Sequence, residues 1–250
     1  MRKTLILGLL FTLFVYGCSS TPESEYDETK DWPVEKLYAE AQAEIDRGDY
    51  ETAIDYLNKV EARFPFGTYA LQAQLDTSYA YFLNEEFELA VASADRFIKM
   101  NPMHPSVDYA YYLKGLASSS KQDSFIARTF NLDTTKRCQE SMQDAFVDFR
   151  TLITKFPNSR YAAEARKRMI EIRDDLARQE INIARYYFRR GAMVAALNRA
   201  KYVIENYQET PSVYDALIIM AQAYKKLDMN ALYDDTIKIL RLNYPNQPIS

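Results

Sequence analysis

Glycine is scarce in this chain: six in 250 residues, well below ordinary usage. Sheet proteins draw on glycine at tight hairpin turns, so the scarcity points to helices. Cysteine is scarcer still. Cys18 and Cys138 are the only two, too few for a disulfide framework. His104 is the only histidine. It sits in the string Asn101-Pro102-Met103-His104-Pro105, where a turn residue reads as structural rather than catalytic. No His/Cys cluster has metal-ligand spacing. There is no glycine-rich phosphate loop and no nucleophile elbow. Acidic pairs such as Asp174-Asp175 fall on a charged helix face and read as solvated. The sequence thus offers no catalytic set, no metal site and no cofactor site. Basic side chains are also in deficit, 31 against 35 acidic. Removing Arg2 and Lys3 with a leader peptide leaves 29 against 35, a net charge of −6. That balance argues against nucleic acid as a main partner.

What is present begins with the first 17 residues. Arg2 and Lys3 precede an apolar run from Leu5 to Val15, and Gly17-Cys18 follows. A charged start, a short apolar middle and a small residue at the cut describe a secretory signal peptide. The run is too short for a membrane span, which needs about 20 apolar residues. Gly17-Cys18 resembles a lipobox, in which Cys18 becomes the fatty-acylated first residue of the mature chain. Val15 suits the third position before the cysteine, whereas Tyr16 stands where a small residue is usual. The competing reading is an ordinary signal peptide with a chance cysteine. A lipid would anchor the protein to a membrane without spanning it. By bacterial sorting rules, Ser19 beside the cysteine points to the outer membrane. Residues 18–32 read as the lipidated start and a flexible, polar tether.

Repeats set the fold class. Gly48-Asp49-Tyr50 and Ala53 are followed by Phe64-Pro65. Pro102 comes 37 residues after Pro65, with Phe87, Ala90 and Phe97 at the offsets of the first unit. Later units end at Phe156-Pro157, near Tyr207-Gln208, and at Tyr244-Pro245. These units resemble the tetratricopeptide repeat: helix A, a tight turn, helix B with an early small residue, then a turn. Ala53, Ala90, Ala145 and Ala196 let helix B lie close to helix A, and Tyr50 and Phe87 plug the turn. No single pair buries its apolar face, so stacking supplies the core. The expected architecture is an all-α solenoid of about five such pairs, wound as a right-handed superhelix. Repeats 1–3 occupy 33–159, with a long loop inserted near 119–140. Residues 160–250 hold a long linking helix, Arg160 to Arg190, and repeats 4–5.

Two surfaces follow. The groove-facing positions of helix A are Tyr38, Gln42 and Ile45, then Leu75, Tyr79 and Phe82, then Tyr109, Tyr112 and Leu116. Phe66 and Tyr69 stand at the same end. Tyrosines with the ring in and the hydroxyl out suit a peptide-recognition surface, and plain core packing is the alternative. The second surface is basic. Arg160 to Arg190 holds nine Lys/Arg against five Asp/Glu. One reading is a solvated helix stitched by Glu164 with Arg168 and Asp174 with Arg178. The other is a docking site for an acidic partner, where Arg189-Arg190-Gly191 meets Asn198-Arg199.

Specific strings carry a closer resemblance. They are Arg63-Phe64-Pro65-Phe66-Gly67, Gln74-Leu75-Asp76 with Tyr79-Ala80-Tyr81, Asp95-Arg96-Phe97-Ile98, and Asn101-Pro102 with His104-Pro105. Asp108-Tyr109, Gly115-Leu116, Phe156-Pro157-Asn158-Ser159 and Arg189-Arg190-Gly191-Ala192 with Asn198-Arg199 complete the set. Over essentially the whole mature chain, the sequence resembles the repeat-lipoprotein family of the outer-membrane β-barrel assembly machinery. The stretch Asp123 to Cys138 does not align. The resemblance implies a non-enzymatic scaffold on the periplasmic face of the outer membrane. Its C-terminal half would meet the barrel-forming subunit, with Arg189, Arg190, Asn198 and Arg199 at the contact. Its N-terminal groove (Tyr38, Phe66, Tyr69, Leu75, Tyr79, Phe82, Tyr109, Tyr112) would take accessory lipoproteins or unfolded outer-membrane protein substrates. Another repeat lipoprotein, such as a secretin pilotin, is the alternative; it shares the signal and the repeats but not the Phe64-to-Gly67 string.

Overall fold

A computed structural model describes residues 27–120 and 134–248. The leader peptide, Cys18 and the middle of the central insertion lie outside the described residues. The described chain is a succession of helices: α1 (Val34–Arg47), α2 (Tyr50–Arg63), α3 (Thr68–Leu83), α4 (Phe87–Met100), α5 (Val107–Ser120), α6 (Thr134–Lys155), α7 (Ala162–Arg189), α8 (Met193–Asn206), α9 (Ser212–Lys226) and α10 (Asn230–Asn243). Each packs on the next, and α1·α3, α3·α5 and α7·α9 also touch. That is the neighbour pattern of five stacked helix pairs, with odd-numbered helices along one row.

The turn inside four of the pairs has one geometry. A residue with positive φ ends helix A: Gly48 (83°), Glu85 (59°), Gly191 (78°) and Asp228 (58°). The next backbone N–H then reaches back to a carbonyl in the last turn. These bonds are Asp49→Glu44 (3.0 Å), Glu86→Tyr81 (2.9 Å), Ala192→Tyr187 (3.0 Å) and Met229→Tyr224 (3.0 Å). This is the Schellman closure, which satisfies orphan helix carbonyls. In the first pair Asp49 also caps α2, accepting from the Thr52 N–H at 3.1 Å, a bond that supplies one of the helix's free donors with a partner. Only two of the four left-handed positions are glycine, so the repeat is legible from Gly48-Asp49 and faint where Glu85 and Asp228 replace it.

Packing inside the pairs depends on small side chains. Ala53, Ala90, Ala145 and Ala196 are all fully buried, as the repeat reading requires. Gly115 on α5 is the extreme case: a Cβ there would lie 2.6 Å from the Phe149 ring on α6. Glycine is needed for space at this site, since its φ is not in the left-handed region.

Three expectations change. The expected linking helix spans Ala162–Arg189, 28 residues, or about 42 Å at 1.5 Å per residue. Besides linking the two halves, it is helix A of the fourth pair. One apolar cluster joins α6, α7, α8 and α9 through Phe149, Leu152, Ile172, Ile181, Ala196, Val203 and Ile219, so the 159/160 division runs through a shared core. The insertion near 119–140 is not all loop. α5 runs through Ser120 and α6 starts at Thr134, because the flanks lack glycine and proline and extend the helices instead.

The tether expected at 18–32 is also shorter. Asp27 pairs with Lys59 at 3.6 Å and with Arg63, and its side chain accepts from both the N–H and hydroxyl of Thr29. Arg63 donates to the Thr29 carbonyl at 2.6 Å. Trp32 packs on Tyr56 with ring centres 6.1 Å apart, and the Lys36 ammonium stands 3.8 Å over the indole. Residues 27–32 are therefore fixed to α1 and α2 by charge and by ring stacking.

Candidate functional site

The aromatic surface is assembled by α1, α3 and α5, whose sequence spacing puts tyrosines on one face. Tyr38 and Tyr69 tilt together with ring centres 5.3 Å apart. Further along, Tyr161 joins Tyr109 (5.3 Å) and stacks on Tyr112 (4.9 Å, 17° between planes). Tyr112 also touches Phe149 at 6.1 Å. Tyr79 on α3 is half-buried and stands close enough to Tyr109 to help raise its phenol.

At the centre is Asp76. Its Oδ2 accepts from the Tyr38 hydroxyl at 2.6 Å and from Gln42 Nε2 at 2.8 Å. Its Oδ1 accepts from Gln72 Nε2 at 3.0 Å. Burial pushes the Asp76 carboxyl above its ordinary range, against the pull of those three bonds. Burial, then the bond to Asp76, pushes the Tyr38 phenol well above its usual range. Tyr109 is raised as well, first by burial and then by Tyr161. Both phenols thus stay protonated and can donate at neutral pH.

Not every residue expected in the groove belongs there. Leu75 is 1% exposed and packs with Phe97, Val107 and Ala110; it turns inward between α3 and α5 and is a core residue. Phe82 is half-buried, lies against Phe87 at 5.9 Å and packs on the Ala90–Ala117 cluster, apart from the tyrosine pairs. Phe66 is 92% exposed on the turn before α3, and forms no ring pair among the described residues. Tyr161 and Asp76 were missed as groove residues. Tyr161 sits in a turn, outside the helix-A spacing, and Asp76 was visible only as part of the string Gln74-Leu75-Asp76.

The basic surface divides. Along α7 most charges are already paired: Arg168–Glu164 (3.1 Å), Arg173–Glu209 (2.7 Å), Arg178–Asp175 (2.7 Å) and Arg185–Asp215 (2.9 Å). Arg178 therefore takes Asp175 in place of the expected Asp174. At the end of α7 and on α8, Arg189, Arg190 and Asn198 are exposed. Neither arginine makes an ion pair among the described residues, and Arg190 lies over the Tyr186 ring at 5.3 Å. Arg199 differs. It reaches Glu180 Oε2 at 3.1 Å, and Gln139 donates to the other oxygen at 3.2 Å.

His104 is held by its turn. Its Nδ1 accepts from the Ser106 N–H at 3.2 Å, and its ring meets Phe97 edge-on at 5.3 Å. Among the described residues, no cluster of His, Cys, Asp or Glu is arranged to hold a metal ion, and no helix is long and apolar enough to cross a membrane.

The model of the outer membrane lipoprotein family YfiO matches residues 30–239. A curated relative from Neisseria gonorrhoeae, named outer membrane protein assembly factor BamD, is 41% identical over 98% of this chain and 93% of its own. The chain belongs to this family. Other BamD proteins agree: that of Vibrio cholerae is 35% identical over 97% of this chain and 99% of its own, and that of Haemophilus influenzae is 36% identical over 97% and 92%. These BamD relatives are named as assembly factors, not as enzymes. Among solved structures, MamA from Desulfovibrio magneticus overlays with a TM-score of 0.35 at 20% identity, covering 69% of this chain and 75% of its own, too loosely to bear on function.

Proposed function

We propose that the chain is a non-enzymatic scaffold of the machinery that folds and inserts outer-membrane β-barrel proteins. Fatty-acylated Cys18 holds it to the periplasmic face of the outer membrane. Its C-terminal half binds the barrel-forming subunit, and the tyrosine face of α1, α3 and α5 receives substrate or accessory-lipoprotein segments. The carrying observation is the end-to-end likeness to proteins named as assembly factors, 41% over 98% of the chain. The surfaces support it: Arg189, Arg190 and Asn198 are exposed at one corner of the fourth pair, and half-buried tyrosines with protonated hydroxyls suit an extended segment.

The test is recovery of partners from detergent-solubilised envelope on the full-length chain. The barrel-forming subunit is expected, with recovery reduced in an Arg189→Glu/Arg190→Glu variant. Recovery of secretin subunits without a large barrel protein overturns the assignment in favour of a pilotin. For the groove, Tyr79→Ala lowers affinity for a C-terminal outer-membrane-protein peptide; an unaltered affinity returns Tyr79 to plain packing.

A further inference from the structure

Asp76 is a carboxylate without a cation. Its three partners, Tyr38, Gln42 and Gln72, are neutral donors. No Lys or Arg stands within ion-pair distance of it among the described residues. Several partly buried carboxylates elsewhere in the N-terminal half have ammonium or guanidinium partners. Asp95 has Lys99 and Lys114, Asp148 has Lys114, and Asp27 has Lys59 and Arg63. Asp76, like Asp108 and Glu86, has neutral donors alone, and of these three it is the one bonded to a tyrosine hydroxyl of the aromatic face.

Its bonding is also incomplete. An ionised carboxylate offers about four acceptor positions. Two on Oδ2 are taken, and Oδ1 holds only Gln72. The side chain is partly exposed and is bonded to Tyr38 of the Tyr38–Tyr69 pair, on the face that also carries the Tyr109–Tyr112–Tyr161 group. Tyrosine faces attract cations, and a partly desolvated carboxylate forms a stronger charge-assisted bond than one in water. The three neutral donors offset part of the cost of burying this charge, and an opposite charge would offset more.

We propose that Asp76 is a specificity residue that receives a lysine or arginine side chain from an extended segment bound across α1, α3 and α5. The flanking tyrosines take aromatic residues on either side of that cation. This inference rests on the reading that the tyrosine face binds polypeptide. It adds the chemical class of the segment: one basic residue between aromatic ones.

The experiment uses the full-length chain in detergent and two synthetic ten-residue peptides of alternating aromatic and polar residues. One carries a central lysine; in the other norleucine replaces it, keeping the stem and removing the charge. Calorimetry of the wild type is expected to show the lysine peptide binding roughly tenfold more tightly. Asp76→Asn keeps an acceptor oxygen for Tyr38; it should bind both peptides alike, at the wild-type affinity for norleucine. Tyr38→Phe keeps the ring and removes a donor from the carboxylate, so its preference for lysine should widen. If Asp76→Asn does not fold, the wild-type ratio and the Tyr38→Phe ratio decide. Equal binding of both peptides by the wild type overturns the role of Asp76 and leaves the groove in place. Lysine preference that persists in folded Asp76→Asn overturns it too. Binding of neither peptide by the wild type removes the groove reading, and this inference with it.

Discussion

The guanidinium of Arg199 on α8 stands 3.1 Å from a carboxylate oxygen of Glu180, the first side chain half open to solvent and the second only 2% exposed. Glu180 lies deep in the long helix, and Gln139 on α6 holds its other oxygen at 3.2 Å. One carboxylate thus ties together α6, α7 and α8. Arg199 is structural before it meets any partner, which changes what a substitution there reports. Arg199→Ala strands a buried charge and should cost about 1–3 kcal/mol in urea unfolding. Glu180→Gln in the same chain removes that charge and should restore most of the loss. If the barrel-forming subunit binds Arg199 directly, the stable double variant still fails to recover it from envelope extracts. Full recovery by the double variant would leave Arg199 a purely internal role.

Gly115 is set by the Phe149 ring. A methyl group would meet that ring at 2.6–2.9 Å, too close for any real contact, and Phe149 is itself fully buried between α5 and α6. Gly115→Ala is therefore expected to destabilise the chain by about 1–3 kcal/mol, although alanine is the better helix former. Phe149→Leu should recover part of the loss in the Gly115→Ala background. A melting temperature for Gly115→Ala at or above that of the wild type would show that the two helices can separate freely.

The third prediction concerns the docked segment at 27–32. Trp32 is the only tryptophan in the chain, so its fluorescence reports this dock alone. The Asp27 carboxyl is held below its ordinary range, first by the Thr29 side chain, with burial opposing, and then by the Thr29 backbone, Lys59 and Arg63. A depressed carboxyl contributes stability above the unfolded pKa of 3.8 and loses it as pH falls through the lower folded value. The dock should therefore be intact at neutral pH and open only below about pH 4. Asp27→Asn should shift Trp32 emission to the red at pH 7 while the helical circular dichroism stays unchanged. An emission maximum independent of both pH and substitution would assign the docking to Trp32–Tyr56 packing alone.

Particular residues show what was legible. Gly48-Asp49, Ala53, Ala90 and the turn prolines at 65, 102, 157 and 245 gave the repeat, because each meets a local backbone or steric demand that few residue types satisfy. The tyrosine face followed from helical spacing. Spacing alone does not separate inward from groove-facing positions, so Leu75 reads as a groove residue when it closes the core. Glu180 was invisible because glutamate in a charged helix is ordinarily solvated. Its burial depends on α6 and α8, which are brought to it by chain segments 41 residues before and 19 residues after it. Asp27 was hidden for the same reason: its partners Lys59 and Arg63 lie a whole helix pair away.

The docking of Asp27 also sets a length. Nine peptide steps separate Cys18 from Asp27, and a fully extended chain covers at most about 30 Å in that many. With a lipid on Cys18, the first helix pair is held on a leash of that reach. Even full extension would carry it no farther than roughly the thickness of one bilayer core, well short of crossing the periplasm. Residues 27–32, by folding onto α2, shorten the leash from 14 steps to nine. Releasing the dock would lengthen it by about half.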